Sequence, residues 1–315
     1  MLICVNPSAC KQSYKYHVII VKPKKCCYMI SIVMPTHVKP PLLVYTLISV
    51  LSQKYDDFEF IIVDASQDKY FIDHTEEFFS HAYLLPYQKN FNKVKVVRPE
   101  HDYEFPGAMK MFGVSNCVQD DDFVVFLDHD DFLGNYLLHH MSFVKTQYPS
   151  TEMVSTNYTS MTYNCMCNSV FTNIETYAGG TPCGSTDTIY IDNHYFKFDS
   201  EFDIYKNIHA YKAAMCPKIM SKKTIREKRF SFIEDTRTLD DVTWPIQSHS
   251  FTETYIPIIG YVYIGYSGGY TSTSGIGYPT SETASKAISA CFSYGEYLDS
   301  IGYEKHRNEL LIKNI

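Results

Sequence analysis

Basic clusters are nearly missing from this 315-residue sequence: 28 Lys and Arg stand against 35 Asp and Glu, giving a formal charge of −7. Basic residues gather only in short runs such as Lys24-Lys25 and Lys222-Lys223. With no basic stripe there is no electrostatic footprint for nucleic acid, and nucleic acid is excluded as a partner. Long apolar runs are also missing, and none approaches the ~20 residues that cross a bilayer. The longest candidate, residues 256–264, is broken by Pro257 and Gly260, so no integral membrane segment is expected. The opening MLICVNPSACKQSYKYHVIIV lacks the basic stretch and apolar run of a secretory leader. The 10 cysteines follow no zinc spacing, with Cys26 and Cys27 adjacent and Cys165 and Cys167 one residue apart. In a chain of this size they read as scattered buried thiols, which predicts a reducing compartment and a cytoplasmic location. No G-x-G-x-x-G follows any strand signal, which disfavours NAD-linked chemistry.

What is present is an alternation of strand and helix signals, the mark of an α/β fold with a parallel sheet covered on both faces. Residues 29–34 (MISIVM) form an apolar run ending at Pro35, a buried strand. Pro40 and Pro41 open a helix with Leu42, Leu43, Leu47, Ile48 and Leu51 at helical spacing. Residues 58–64 (FEFIIVD) give a second strand, 70–82 a helix, 93–97 (KVKVV) a third strand and 107–118 a helix. Residues 123–127 (FVVFL) are the fourth strand, and 134–148 a helix with Leu137, Leu138, Met141 and Val144 on one face. The pattern then loosens. Residues 251–266 read as strand, 267–277 as a Gly/Ser/Thr loop, and the segment from Ala287 to Leu298 as a closing amphipathic helix.

In an open parallel sheet ligands bind at the carboxyl ends of the strands. Three strand ends are polar: Pro35-Thr36-His37, Asp64-Ala65-Ser66 and Asp128-His129-Asp130-Asp131. Asp128 and Asp130, one residue apart after an apolar strand, are hard oxygen ligands that would hold a divalent ion while leaving coordination positions for phosphate and water. The acidic run at residues 120–122 precedes its strand and reads as a solvated turn.

The segments SIVMPTHVKPPLLVYTLISVLSQKYDDFEFIIVDASQD, PGAMKMFGV and FVVFLDHDDFL resemble the inverting GT-A glycosyltransferases of family 2. CPKIMSKKTIREKRFSFIEDTRTLDDVTWPI and GYVYIGYSGGYTSTSG resemble the later blocks of that family, so the likeness covers roughly residues 29–275. It implies a GT-A fold: a mostly parallel central sheet flanked by helices, with a Rossmann-like nucleotide half (29–135) and a mixed acceptor half (136–275). Residues 1–28 and 276–315 would be extensions. The implied activity is sugar transfer from a nucleotide-sugar, a UDP-sugar above others, to a hydroxyl of a glycan, protein or lipid acceptor, with Mn²⁺ or Mg²⁺. The implied site puts Pro35 and Thr36 at the nucleotide, Asp64 at the base, Asp128 at ribose and metal, Asp130 at the metal and Asp241 as catalytic base. It also implies a strand through RFSFI ahead of Glu234.

Two departures bear on donor geometry. Ala65 stands where the family has a second aspartate, leaving Ser66 or Asp68 for any second contact, and Lys110-Met111 replaces the usual Arg-Asn pair. Lys110 can meet phosphate as a point charge, whereas Met111 cannot hydrogen-bond as Asn would. Glu234-Asp235 competes with Asp240-Asp241 for the base, and His249 is a further candidate for the metal shell. Two other readings stay open: a sugar nucleotidyltransferase, which would want a Gly-rich loop where Pro35-Thr36-His37 stands, and a non-catalytic carbohydrate-binding module of the same fold.

Overall fold

Continuous apolar runs form the first strands of the computed structural model, which describes residues 28–37, 42–66, 69–73, 76, 79–100, 105–117, 123–164, 171–178, 181–182, 196–198, 218–232, 251 and 253–267. β1 (Ile30–Thr36) and β2 (Phe58–Asp64) are buried at every position, as strands covered on both faces must be. With β3 (Val94–Val97) and β4 (Phe123–Phe126) they make an all-parallel block in the order β3-β2-β1-β4. Chain order reverses between β1 and β4, which opens a crevice at their carboxyl ends.

Helices cover this block. α1 (Leu43–Leu51) packs through Leu43, Leu47, Val50 and Leu51. α2 (Tyr70–Asp73) follows β2, with helical backbone recurring at 76 and 79, and the helix expected over 70–82 gives way to turns from Ser80 onward. A 3₁₀ stretch, Leu85–Lys93, was not legible in the sequence; Pro86 stands in its first turn, and the Asn90 amide donates to Leu51 O over 2.8 Å. α3 (Pro106–Ser115) starts on proline and lies on β1 and β2. Gly113 is the point of closest approach, because a Cβ there would overlap Val33 Cγ1 and lie 3.1 Å from Val63 Cγ2.

The second half of the sheet is mixed. After the short β5 (Phe132–Leu133) and α4 (Leu137–Gln147) come β6 (Met153–Asn164), β7 (Phe171–Ala178), β8 (Thr181–Pro182) and β9 (Phe196–Phe198). β10 (Lys218–Ser221), α5 (Lys222–Glu227) and β11 (Glu253–Ser267) complete the described elements. The sheet continues β4-β10-β6-β11-β5, with β10 antiparallel to both neighbours and β11 parallel to β6. Pro257 and Gly260, which interrupt the apolar run of β11, coincide with register shifts against β6 between Ile256 and Tyr261.

One expectation fails here. The RFSFI segment is not a strand over its described residues. α5 ends at Arg229 in the left-handed region (φ 51°), and Phe230 N turns back to Ile225 O over 2.9 Å. Phe230 and Phe232 then enter the core edge-on to each other, with Phe232 also edge-on to Phe126, so aromatic packing rather than strand pairing explains their spacing. Among the described residues no helix is long and apolar enough to cross a membrane.

The fit of α3 on the sheet gives a first prediction. Gly113→Ala should destabilise the protein by ~1–3 kcal/mol in urea unfolding, because overpacking outweighs the ~1 kcal/mol gain in helix propensity. Combining it with Val33→Ala should cost less than the sum of the two single changes. Strict additivity would mean that the Gly113–Val33 approach is not the cause.

Candidate functional site

The loop after β4 is held from two sides before it offers anything to a ligand. On one side is α1, which carries Thr46 and Ser49 on a buried face, with Gln53, also buried, two residues past its end at the same spacing. Thr46 Oγ1 donates to His129 O (3.0 Å), Ser49 Oγ accepts from Leu133 N (3.1 Å), and Gln53 donates to Gly134 O (2.8 Å) while accepting from Leu138 N (3.3 Å). On the other side is β11. Asp131 Oδ2 accepts the Tyr261 hydroxyl and Asp131 Oδ1 accepts Ile264 N, each over 2.7 Å. The Tyr261 oxygen in turn accepts Asp128 N over 3.2 Å.

This support divides the acidic turn into distinct roles. Asp131 is 1% exposed and turned inward. Burial, then the charges of Asp130 and Asp128, raise its pKa well above the usual range, and the two donors from β11 oppose that rise. His129 is also buried, and its Nδ1 shares a 3.0 Å hydrogen bond with Thr36 Oγ1 across the crevice between β4 and β1. Burial, and secondarily the stacked His37 ring 5.5 Å away, push its pKa down to about 4, so it stays neutral at neutral pH. Asp130 is 8% exposed, and burial together with the Asp128 charge raises its pKa to about 7. The Asp128 side chain is 48% exposed, with Oδ1 3.4 Å from Lys110 Nζ.

Lys110 reaches this pair from α3, one turn before Gly113, with its ammonium 5.0 Å from the centroid of the Phe232 ring. At the end of β2, Asp64 is wholly buried and organises the turn that follows. Its Oδ1 accepts Ser66 N (3.0 Å) and the Ser66 hydroxyl, and its Oδ2 accepts Phe71 N (2.9 Å) at the start of α2. Arg98, just past β3, closes the same turn from outside by donating to Ser66 O (2.7 Å) and Asp64 O (3.3 Å).

Pro35, Thr36, Asp64, Lys110, Asp128 and Asp130 therefore all sit at the carboxyl-end side of the parallel block, Thr36 being bonded to the loop that carries the two acids. Asp68, Glu234, Asp235, Asp240, Asp241 and His249 lie outside the described residues. Met111 is partly buried and packs on the apolar cluster with Val97, as its side chain dictates. Arg98 and the polar stripe formed by Thr46, Ser49 and Gln53 were not singled out by the sequence, whereas Tyr261, read there as a core aromatic, is buried in the core. The stripe had a visible signal, polar residues at i, i+3 and i+7 among leucines, whereas Arg98 had none.

Among the described residues no group of three or more His, Cys, Asp and Glu is placed to hold a metal ion. Asp128 and Asp130 nonetheless fit one. They are hard oxygen donors, and a carboxyl whose pKa is lifted to about 7 by burial and a like charge is relieved by a cation. Two protein ligands leave positions open for phosphate oxygens.

Residues 31–144 match the family model for Glycosyl transferase family 2, over the segment that builds this site. Among solved structures the chain superimposes on Staphylococcus aureus TarS 1-349 in complex with UDP-GlcNAc, with a TM-score of 0.64, 15% identity, and coverage of 91% of this chain and 71% of that one. Against the longer S. aureus TarS structure the TM-score is 0.59 at 14% identity, covering 91% of this chain and 42% of that one. At such identity the likeness is one of fold, and the fold is GT-A. No curated protein matches the chain by sequence.

Tyr261 carries the prediction from this geometry. Tyr261→Phe leaves the buried Asp131 without a donor on Oδ2, at an expected cost of ~1–3 kcal/mol in urea unfolding. An unfolding midpoint equal to that of the parent would show that the phenol does not hold the turn.

Proposed function

We propose that this chain, which resembles the family 2 glycosyltransferases and carries their family segment over residues 31–144, transfers a sugar from a UDP-sugar to an acceptor hydroxyl with inversion. The observation that carries the reading is the convergence of Thr36, Lys110, Asp128 and Asp130 on the crevice where the strand order reverses. The likeness in fold to a structure solved with UDP-GlcNAc supports a uridine nucleotide as the donor handle.

In this reading Pro35 and Thr36 border the nucleotide at the end of β1. Asp64 fixes the β2 turn on which the base rests, its carboxylate accepting from Ser66 and from Phe71 N. Lys110 supplies a positive charge at the diphosphate. Asp128 and Asp130 would hold Mn²⁺ or Mg²⁺, which supplies Lewis-acid stabilisation of the departing nucleoside diphosphate. Asp241 is the base: its carboxylate takes the acceptor hydroxyl proton as the oxygen attacks the anomeric carbon from the face opposite the leaving group. The acceptor class, whether glycan, protein or lipid, belongs to the second half of the chain.

Two experiments test the reading. UDP should raise the melting temperature with Mn²⁺ present and much less with chelator, and Asp130→Asn should abolish the difference. Because Asp130 titrates at about 7 in the absence of a ligand, the metal-dependent increment should shrink as pH falls from 8 to 6, when a proton competes with the cation. Equal UDP binding with and without metal sinks the metal assignment. Separately, Asp241→Asn should lower transfer at least ~10²-fold and leave UDP binding intact, the signature of a lost general base. If Glu234→Gln is silenced and Asp241→Asn is not, the base belongs to the other acidic pair.

A further inference from the structure

Lys110 stands in an unusual place for a residue that only greets phosphate. Its side chain is 8% exposed, with Nζ 3.4 Å from Asp128 Oδ1 on one side and the Phe232 ring centroid 5.0 Å away on the other. Lys110 rises from α3 one turn before Gly113. Asp128 is thereby neutralised by its own protein before any ligand arrives.

Building on the donor site proposed above, we propose that Lys110 is a resident counter-ion that competes with the divalent cation for Asp128, so that cation and nucleoside diphosphate bind as a coupled pair. A divalent cation on Asp128 would meet the ammonium at short range, where Coulomb repulsion is large and the limited exposure of Lys110 reduces screening. A diphosphate changes the balance. Its anionic oxygens give Lys110 a new partner and free Asp128 for the cation. Cation binding is then weak alone and stronger with diphosphate, and by linkage the diphosphate gains the same factor from the cation. Phe232 tunes the competition, since the face of its ring holds the ammonium near Asp128.

The test is Mn²⁺ affinity by calorimetry, with and without UDP, for the parent, Lys110→Met, Lys110→Arg and Phe232→Leu, with circular dichroism to confirm folding. Without UDP, Lys110→Met should bind Mn²⁺ at least about threefold more tightly than the parent, and UDP should strengthen Mn²⁺ binding by a smaller factor than in the parent. Lys110→Arg, which keeps the charge, should not tighten Mn²⁺ binding in the absence of UDP, and Phe232→Leu should shift Mn²⁺ affinity in the same direction as Lys110→Met, by less. A folded Lys110→Met that binds Mn²⁺ no more tightly than the parent overturns the inference. If that variant does not fold, an unchanged Phe232→Leu overturns it. In both cases UDP binding by the parent leaves the donor-site reading standing, whereas a parent that binds no UDP even with Mn²⁺ removes both.

Discussion

A carboxylate wholly removed from water must be met by donors, and Asp131 finds both of its donors on β11, in the Tyr261 hydroxyl and the Ile264 amide. The rest of the site depends on that requirement. Asp131 is the last of four consecutive polar residues after β4, and once it is pinned inward the backbone ahead of it has little freedom. The Tyr261 oxygen also accepts Asp128 N, so one phenol fixes both ends of the turn. The exposed acid and the buried acid therefore cannot exchange places. The polar stripe of α1 repeats the logic on the other flank, where His129 O, Leu133 N and Gly134 O are taken up by side chains instead of being left buried without partners.

From this scaffold follows the electrostatic character of the crevice. Asp128, Asp130 and Asp131 are close enough that each of the two buried acids is raised partly by its neighbours, and among the described residues the cation Lys110 stands against Asp128. Asp130 is left as a buried carboxyl whose charge is costly until something positive arrives. Neutral His129 adds no charge but ties the acidic turn to Thr36 at the end of β1. A site of this kind is preorganised for an anionic ligand that brings its own cation.

The half of the molecule that was legible in the sequence is the half where one physical rule dominates. Buried parallel strands must be continuously apolar, so 30–36, 58–64 and 123–126 announce themselves, and their polar ends mark the crevice. In the second half that rule lapses. β6 runs over residues 153–164 (MVSTNYTSMTYN), too polar to read as a buried run, and pairs with β7 on one side and β11 on the other. Its strand character comes from neighbours distant in sequence, which no local pattern reveals. RFSFI misleads for the opposite reason: it has strand composition, but Arg229 turns the chain and both phenylalanines are consumed by the aromatic cluster under Lys110. Arg98 was invisible because its partners are backbone carbonyls, which carry no residue identity.

The exchange of the usual arginine for Lys110 gains meaning in this setting. A guanidinium would present a planar fork suited to holding two oxygens at once, and its delocalised charge would stack on Phe232 and stay there. An ammonium is a compact charge on a flexible stem that holds one partner at a time with full strength. Placed between a carboxylate and an aromatic face, such a charge is suited to being handed from one oxygen to another. The neighbouring Met111, which cannot hydrogen-bond to a ligand, packs into the core beside Val97. In the proposed donor site, the work that an arginine and an asparagine would share would therefore fall on one cation, and electrostatic balance in the crevice would depend on the ligand's own phosphates more than on a fixed protein fork.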